Sequence, residues 1–328
     1  MENVYKGSYI ITCDLKKRFS QFKHLCIKTP DVNNFFDDFN ENLARLIQKA
    51  HPDGEIIVLD VEEIANKILK IAVKEQQRIK GLIVSTSVDF ATPRRGIVLE
   101  LNRLINENGE IIGIGARPGH PSFQQQFKKI AKMTEEKPVI IVEDGIFSGT
   151  TLNTIITELK KQYVDVALVI VGFAFPEGLK KLQSVYNGEI IAINQFNNLI
   201  DWMPDHDFFP FAPNCGRVLG VKMNGSVLPF YNYNGVSYSV PYILPFAPIE
   251  EWASIPKDYS FSISYYCMNK AVDFYEKIDE MNGYNLTLKD VISINPRISA
   301  SVSVNAKYFP VIHEKIGRFL HNINKECW

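Results

Sequence analysis

Four consecutive β-branched residues, Val139, Ile140, Ile141 and Val142, stand directly before two acids, Glu143 and Asp144. A strand made of such a run has no polar face to turn toward water, so it must be covered on both sides. That is the environment of a central strand in a parallel sheet layered with helices. The flanking sequence agrees. Glu55–Leu59 reads as a strand, and Val61–Ile79 as a long helix with Asp60 as its N-cap. Gly81–Ser85 is a short apolar strand, Ile97–Ile105 is predicted helical, and Glu110–Ile114 is a strand. Beyond Val142 come a helix at Thr151–Gln162, a strand at Val166–Val171, a helix at Glu177–Val185 and a strand at Ile190–Ile193. Strands alternating with helices predict an α/β fold with a parallel sheet covered on both faces.

The chain has 328 residues, more than this core needs. Ahead of the core, Ser8–Cys13 reads as a strand and Phe36–Lys49 as an amphipathic helix, which the turn residues His51-Pro-Asp-Gly54 would end. After about residue 200 the style changes. Asp201–Pro248 is rich in aromatics, prolines and glycines, as loops or short antiparallel strands are, and helical character returns at Tyr265–Met281 and Val311–Ile323. The expected organisation is an N-terminal segment, 1–54, packing on the core; an α/β domain, 55–215; and a C-terminal α+β extension, 216–328.

Charge excludes little but informs. Thirty-six basic residues nearly balance 37 acidic ones, so non-specific nucleic-acid binding is unsupported. The five cysteines (Cys13, Cys26, Cys215, Cys267, Cys327) show no CxxC spacing, which argues against a thiolate zinc site and for reduced thiols. No apolar run approaches the ~18 residues of a membrane span, and the N-terminus lacks a signal-like apolar stretch. The expectation is a soluble, cytoplasmic protein with no membrane partner.

Chemistry concentrates in Val139–Leu152, VIIVEDGIFSGTTL. A buried strand ends in Glu143 and Asp144; a short loop with Ser148, Gly149, Thr150 and Thr151 follows; then a helix begins. The carboxyl end of a parallel strand is where ligands meet the next helix's N-terminus. Backbone N–H groups and the helix dipole there suit a phosphate dianion. Gly149 lets the backbone approach closely, Ser148 and Thr151 add hydroxyl donors, and the two carboxylates can accept hydrogen bonds from ribose hydroxyls. The segment is neither GxxxxGK[ST] nor GxGxxG.

This segment resembles the phosphoribosyl pyrophosphate (PRPP) motif of the type I phosphoribosyltransferases: four apolar residues, two acids, then S-G-x-T. The resemblance covers roughly residues 55–195. It implies a Rossmann-like core in which Glu143 and Asp144 hold the ribose hydroxyls. Phe147, Ser148, Gly149, Thr150 and Thr151 would then form the 5-phosphate loop, with Gly145 also at the substrate. It also implies a pyrophosphate loop in Ser85–Gly96, with Arg94 and Arg95 as its cations, Arg95 acting in catalysis. A loop closing over the reaction would fall in Arg117–Lys137, with Arg117, His120, Lys128 and Lys129 as candidate cations. One departure stands out. Where purine-salvage members carry an acid beside the incoming base, this chain has Phe147, which cannot exchange a proton with a purine.

For the acceptor side, Asp201–Arg217 is the candidate hood, with Trp202, Phe208 or Phe209 to stack on a ring and Asp205 or Asp207 to read its edge. The Asp205-His206-Asp207 triplet also invites a metal reading, but no distant ligand pair accompanies it in sequence. The metal implied by the resemblance is Mg²⁺ carried by PRPP, with few protein ligands beyond Glu143 and Asp144. The expected activity is transfer of ribose 5-phosphate from PRPP to a nitrogenous base with release of pyrophosphate. Two rivals share the same loop: a non-catalytic PRPP or nucleotide sensor, and a phosphoribosyltransferase-like effector acting on nucleotides, as in a toxin or phage-defence system. A homodimer stays open.

Overall fold

The computed structural model describes residues 7–20, 22–23, 26–86, 91, 93, 96–105, 111–117, 119–212, 230–233, 236–239, 249, 253–287 and 290. In chain order the elements are β1 (Ser8–Cys13), α1 (Leu15–Ser20), α2 (Val32–Ala50), β2 (Glu55–Asp60), α3 (Val61–Ile79), β3 (Leu82–Ser85), β4 (Ile97–Val98) and β5 (Leu101–Ile105). There follow β6 (Ile111–Ala116), α4 (Phe123–Thr134), β7 (Val139–Ile146), α5 (Thr150–Lys161), β8 (Val166–Ala174), α6 (Pro176–Gln183), β9 (Glu189–Gln195) and β10 (Leu199–Pro204). A 3-10 turn at Asp205–Phe208, β11 (Phe230–Tyr233), β12 (Val236–Ser239) and α7 (Lys257–Asn282) complete the described elements. Contacts divide the chain into two units. One joins Asp60–Leu104 to Gly113–Leu199; the other joins Met1–Leu59, Ile105–Ile112 and Ile200–Trp328.

The first unit is the expected mixed α/β core. Its parallel sheet runs β4-β3-β7-β8-β9. Renumbered within the sheet, that order is 2-1-3-4-5, a doubly wound arrangement with its switch point between β3 and β7. β7 is central, and Val139–Val142 are fully buried. Each such side chain contributes about 1.5–3 kcal/mol when taken from water. One face, with Val139, Ile141, Val169 and Val171, packs on Phe127 and Ile130 of α4 and on Leu152, Ile155 and Ile156 of α5. α3 packs against β3, β7, β8 and β9. Asp60 caps α3 by accepting hydrogen bonds from the N–H groups of Glu62 and Glu63 at 2.7 and 3.2 Å.

Two expectations need correcting here. Ile97–Ile105 is not a helix: it forms β4 and β5, with Leu99 and Glu100 between them. Pairing decides it: Ile97 and Val98 lie beside Val84 and Ser85 of β3. β5 pairs with β6 as a separate two-stranded ribbon, so neither extends the parallel sheet. The Arg117–Lys137 interval, where a closing loop was expected, contains α4, opened by a capping box between Ser122 and Gln125.

The second unit builds on a three-stranded sheet, β10-β1-β2. β2 therefore does not join the parallel sheet. Its residues are exposed or only partly buried throughout, and Val58 is 45 % exposed, unlike a strand covered on both faces. β1 and β2 share a sheet with β10, and these three strands fall mainly in the same unit. The boundary expected near Gly216 and the helix expected at Val311–Ile323 lie outside the described residues.

An aromatic core fills this unit. Phe19 lies 5.0 Å from Phe36, 4.6 Å from Phe274 and 5.4 Å from Phe209, centroid to centroid. Buried tyrosines spend their hydroxyls on backbone carbonyls: Tyr9 donates to Ala253 at 2.8 Å and Tyr275 to Phe211 at 2.6 Å. No helix among the described residues is long and apolar enough to cross a membrane.

Candidate active site

The switch point gathers the carboxyl ends of β3 and β7. Ser85 pairs with Val142, so the next residues along, Thr86 and Glu143, emerge side by side. The Thr86 N–H donates to the Val142 carbonyl at 3.0 Å, and its hydroxyl donates to the Glu143 carboxylate. Burial, and then the charge of Asp144, push the Glu143 carboxyl well above the usual range, while the Thr86 hydroxyl pulls the other way. Glu143 is buried and Asp144 half-buried. Two adjacent acids with little water thus hold a proton or a cation more readily than either alone.

Past them β7 continues through Gly145 and Ile146, and the chain turns at Phe147–Gly149 into α5. Gly149 is the N-cap of α5, with φ at +69°, and brings no capping side chain. An added Cβ there would lie 2.6 Å from the Gly178 carbonyl oxygen, so glycine is required by conformation and by space. Its neighbours supply the polar groups. The Ser148 hydroxyl lies 3.1 Å from the Thr150 hydroxyl and accepts from the Thr150 N–H at 3.4 Å. Ser148, Thr150 and Thr151 are exposed where the positive end of the α5 dipole opens. The structure therefore brings Glu143, Asp144, Gly145, Phe147, Ser148, Gly149, Thr150 and Thr151 into one continuous strand–loop–helix turn.

Phe147, in the place of the absent acid, lies against Phe175, with centroids 5.0 Å apart; Phe175 in turn stacks on Phe196 at 5.7 Å. Each of the three rings directly follows a strand, β7, β8 or β9. The result is an apolar tier along the carboxyl edge of the sheet.

Two residues of this region escaped the sequence reading. Thr86 becomes visible only when the strand order is known. Lys181 of α6 donates to the Thr150 hydroxyl at 2.8 Å from 31 residues away. One signal did exist: Gly178 sits inside a helical pattern, which usually has a packing reason. Here a Cβ at Gly178 would come 2.0 Å from the Phe147 carbonyl oxygen.

The other expected site residues fare differently. Arg94 and Arg95 lie outside the described residues. Arg117 sits beside Glu100, with its Nη1 3.5 Å from the carboxylate, and Gln126 of α4 clamps the Glu100 backbone from both sides, at 2.8 and 3.1 Å. Lys128 and Lys129 are exposed on α4. Trp202 and Asp207 belong to the other unit. The Trp202 indole N–H donates to Thr12 Oγ1 at 3.0 Å, and Asp207 is buried with its carboxylate 3.6 Å from His206 Nε2. Phe208 and Phe209 are core residues. Asp207, Phe208 and Phe209 are thus buried, whereas Trp202 is half-buried.

The distant partner that the Asp-His-Asp triplet lacked in sequence is Asp14. Ligand atoms of Asp14, Asp205 and His206 lie within 4.8 Å of one another. They close on themselves: His206 Nδ1 is 2.5 Å from Asp14 Oδ1, Arg18 donates to Asp14 Oδ2 at 2.8 Å, and Asp205 accepts from the Asp14 N–H and from Asn40, each at 3.0 Å. Burial raises the Asp14 carboxyl, but Arg18 and then His206 outweigh it and hold it below the usual range. Burial, and then the Asp14 charge, push Asp205 well up. The group reads as a buried polar network whose three ligand residues already bond to one another and to Arg18 and Asn40.

Two curated proteins are similar to this chain. Uracil phosphoribosyltransferase of Methanococcus vannielii is 28% identical over 156 residues, covering 46% of this chain and 64% of that protein. Uracil phosphoribosyltransferase of Thermococcus sibiricus is 28% identical over 154 residues, covering 44% and 63%. The chain thus spans slightly less than two thirds of the length of these relatives. No protein-family model matches it. Among solved structures, the AQ2163 protein from Aquifex aeolicus overlaps 38% of this chain and 55% of its own, with 18% identity and a TM-score of 0.23, too low to bear on the fold.

Proposed function

We propose that this chain, whose parallel-sheet core is of the type I phosphoribosyltransferase kind, transfers ribose 5-phosphate from PRPP to a nitrogenous base with release of pyrophosphate. The observation that carries the proposal is the shared turn. A buried carboxyl, its half-buried neighbour and a hydroxyl-rich helix N-terminus stand on either side of one short loop, as a ligand with vicinal hydroxyls and a terminal phosphate requires. Names of the relatives make uracil the first acceptor to test. Phe147 agrees with an acceptor that needs no proton exchange at that position.

In this reading Asp144 and Glu143 accept hydrogen bonds from the ribose hydroxyls and fix the sugar. Ser148, Thr150, Thr151 and the first turn of α5 bind the 5-phosphate. Fixing both ends of the ribose phosphate orients C1 toward the acceptor, and such positioning removes much of the entropic barrier to a two-substrate reaction. The apolar tier of Phe147, Phe175 and Phe196 keeps water from that edge of the sheet.

The carboxylate pair also fits Mg²⁺: its oxygens are hard donors, and a cation beside them relieves the repulsion that raises Glu143. When bound, the ion supplies charge neutralisation to the diphosphate leaving group. The test is incubation with Mg²⁺, PRPP and a panel of bases that includes uracil, following pyrophosphate and nucleoside monophosphate together. Base-dependent release of both is expected. PRPP binding without turnover on any base would instead support a sensor.

A further inference from the structure

We propose that Lys181 is a specificity-determining residue that reads the charge of the 5-phosphate and so restricts the site to ribose derivatives bearing a terminal phosphate monoester; this rests on the phosphoribosyl reading of the α5 turn.

The argument begins with how α6 is placed. Its first turn lies directly on the loop before α5. A Cβ at Gly178 would fall 2.0 Å from the Phe147 carbonyl oxygen, and one at Gly149 would fall 2.6 Å from the Gly178 carbonyl oxygen. Two glycines therefore let two backbones meet with no side chain between them. Lys181 is three residues after Gly178, hence on the same face of α6. Its ammonium group reaches the Thr150 hydroxyl at 2.8 Å, at the very start of α5.

Hydrogen-bond accounting then points outward. Lysine can only donate, so Thr150 Oγ1 must accept from it. Thr150 and Ser148 also share a hydroxyl–hydroxyl bond at 3.1 Å, and Ser148 accepts from the Thr150 N–H at 3.4 Å. If Ser148 donates to Thr150, Thr150 accepts twice and its own proton is left over. If Thr150 donates to Ser148, then Ser148 accepts twice and its proton is left over. Either way one hydroxyl proton of the pair remains, polarised by the lysine and exposed at the positive end of a helix. An ammonium, a spare hydroxyl proton and a helix N-terminus together suit a phosphate dianion.

Lys181 is exposed, so its removal leaves the core intact. Its partner, the neutral Thr150 hydroxyl, also distinguishes it from Lys161, which is paired with Glu158 at 2.6 Å on α5.

The experiment titrates ribose 5-phosphate and PRPP, by calorimetry, into the full chain and its Lys181→Met and Lys181→Arg variants from about pH 5 to pH 7.5. The phosphate takes its second charge near pH 6, so wild-type affinity should climb across that range. Lys181→Met should weaken both ligands about tenfold at the upper pH and flatten the climb, because the charge-assisted hydrogen bond is gone. Lys181→Arg should recover most of the affinity. Melting temperatures should agree within about 2 °C, as is usual for surface substitutions. Equal affinity and an equal pH slope in Lys181→Met would overturn the proposal while leaving the site reading intact. A wild-type chain that binds neither ligand would overturn both.

Discussion

Replacing Gly178 by alanine is the sharpest test of how the α5 loop is held. The new Cβ would sit 2.0 Å from the Phe147 carbonyl oxygen and 2.7 Å from its carbon. A carbon and a carbonyl oxygen approach no closer than about 3.3 Å even in a weak C–H···O contact. The backbone of α6 or of the loop must therefore withdraw by more than about 1 Å. Neither side is a flexible side chain, and both continue into buried strands, since Ile146 and Ala174 are each 1 % exposed. Overpacking of this kind costs about 1–3 kcal/mol, and a backbone-to-backbone clash belongs at the top of that range. At about 2–4 °C per kcal/mol, a cost of roughly 3 kcal/mol lowers the melting temperature by about 6–12 °C. The displacement would also carry Lys181 away from Thr150, so PRPP affinity should fall even though residue 178 has no side chain to offer a ligand. Differential scanning fluorimetry and calorimetry read the two effects on the same sample. A melting point within about 2 °C of wild type, with unchanged PRPP affinity, would refute the argument that α6 is docked through its glycines.

Glu143→Gln should stabilise the protein. The folded-state carboxyl is raised above its ordinary 4.5, so the folded state binds more protons than the unfolded one and stability falls as pH rises through that window. The variant should therefore match wild type in acid and melt increasingly above it toward neutral pH; parallel melting curves from about pH 4 to pH 8 would contradict this. Arg18→Met leaves the buried Asp14 carboxylate without its guanidinium partner, with only His206 against the neighbouring Asp205. Removing one partner of a buried pair costs about 3–5 kcal/mol, measurable by urea denaturation, and a loss below about 1 kcal/mol would contradict the closed network described above.

What could be read from sequence and what could not follows from the range of each interaction. β7 and its loop were legible because everything that defines them is local: Val139–Val142 demand two covered faces, and the acids, Gly149 and the hydroxyls follow within one turn. The bounds of α3 were also legible, because Asp60 caps it and its apolar spacing is helical. β2 was read correctly as a strand but assigned to the wrong sheet, since pairing depends on β1 and β10, and β10 lies far along the chain. The segment from Ile97 to Ile105 was misread because a short apolar run satisfies helix and strand spacing alike, and only its pairing decides. Lys181 and Asp14 were invisible for a common reason. Each meets its partner across 31 and 192 residues respectively, through packing that no local pattern encodes. The aromatics of Trp202–Phe209 look in sequence like a ring-binding surface, and burial spends Phe208 and Phe209 on a core instead.

The most direct measurement is calorimetric titration of PRPP, with Mg²⁺ present, into the wild-type chain and into Glu143→Ala/Asp144→Ala. Saturable binding by the former and none by the latter is the predicted result, provided that both give the same far-ultraviolet circular dichroism. Should the doubly substituted chain take up PRPP as tightly as its parent, the carboxylates at the end of β7 do not hold the sugar, and the assignment of this turn is wrong.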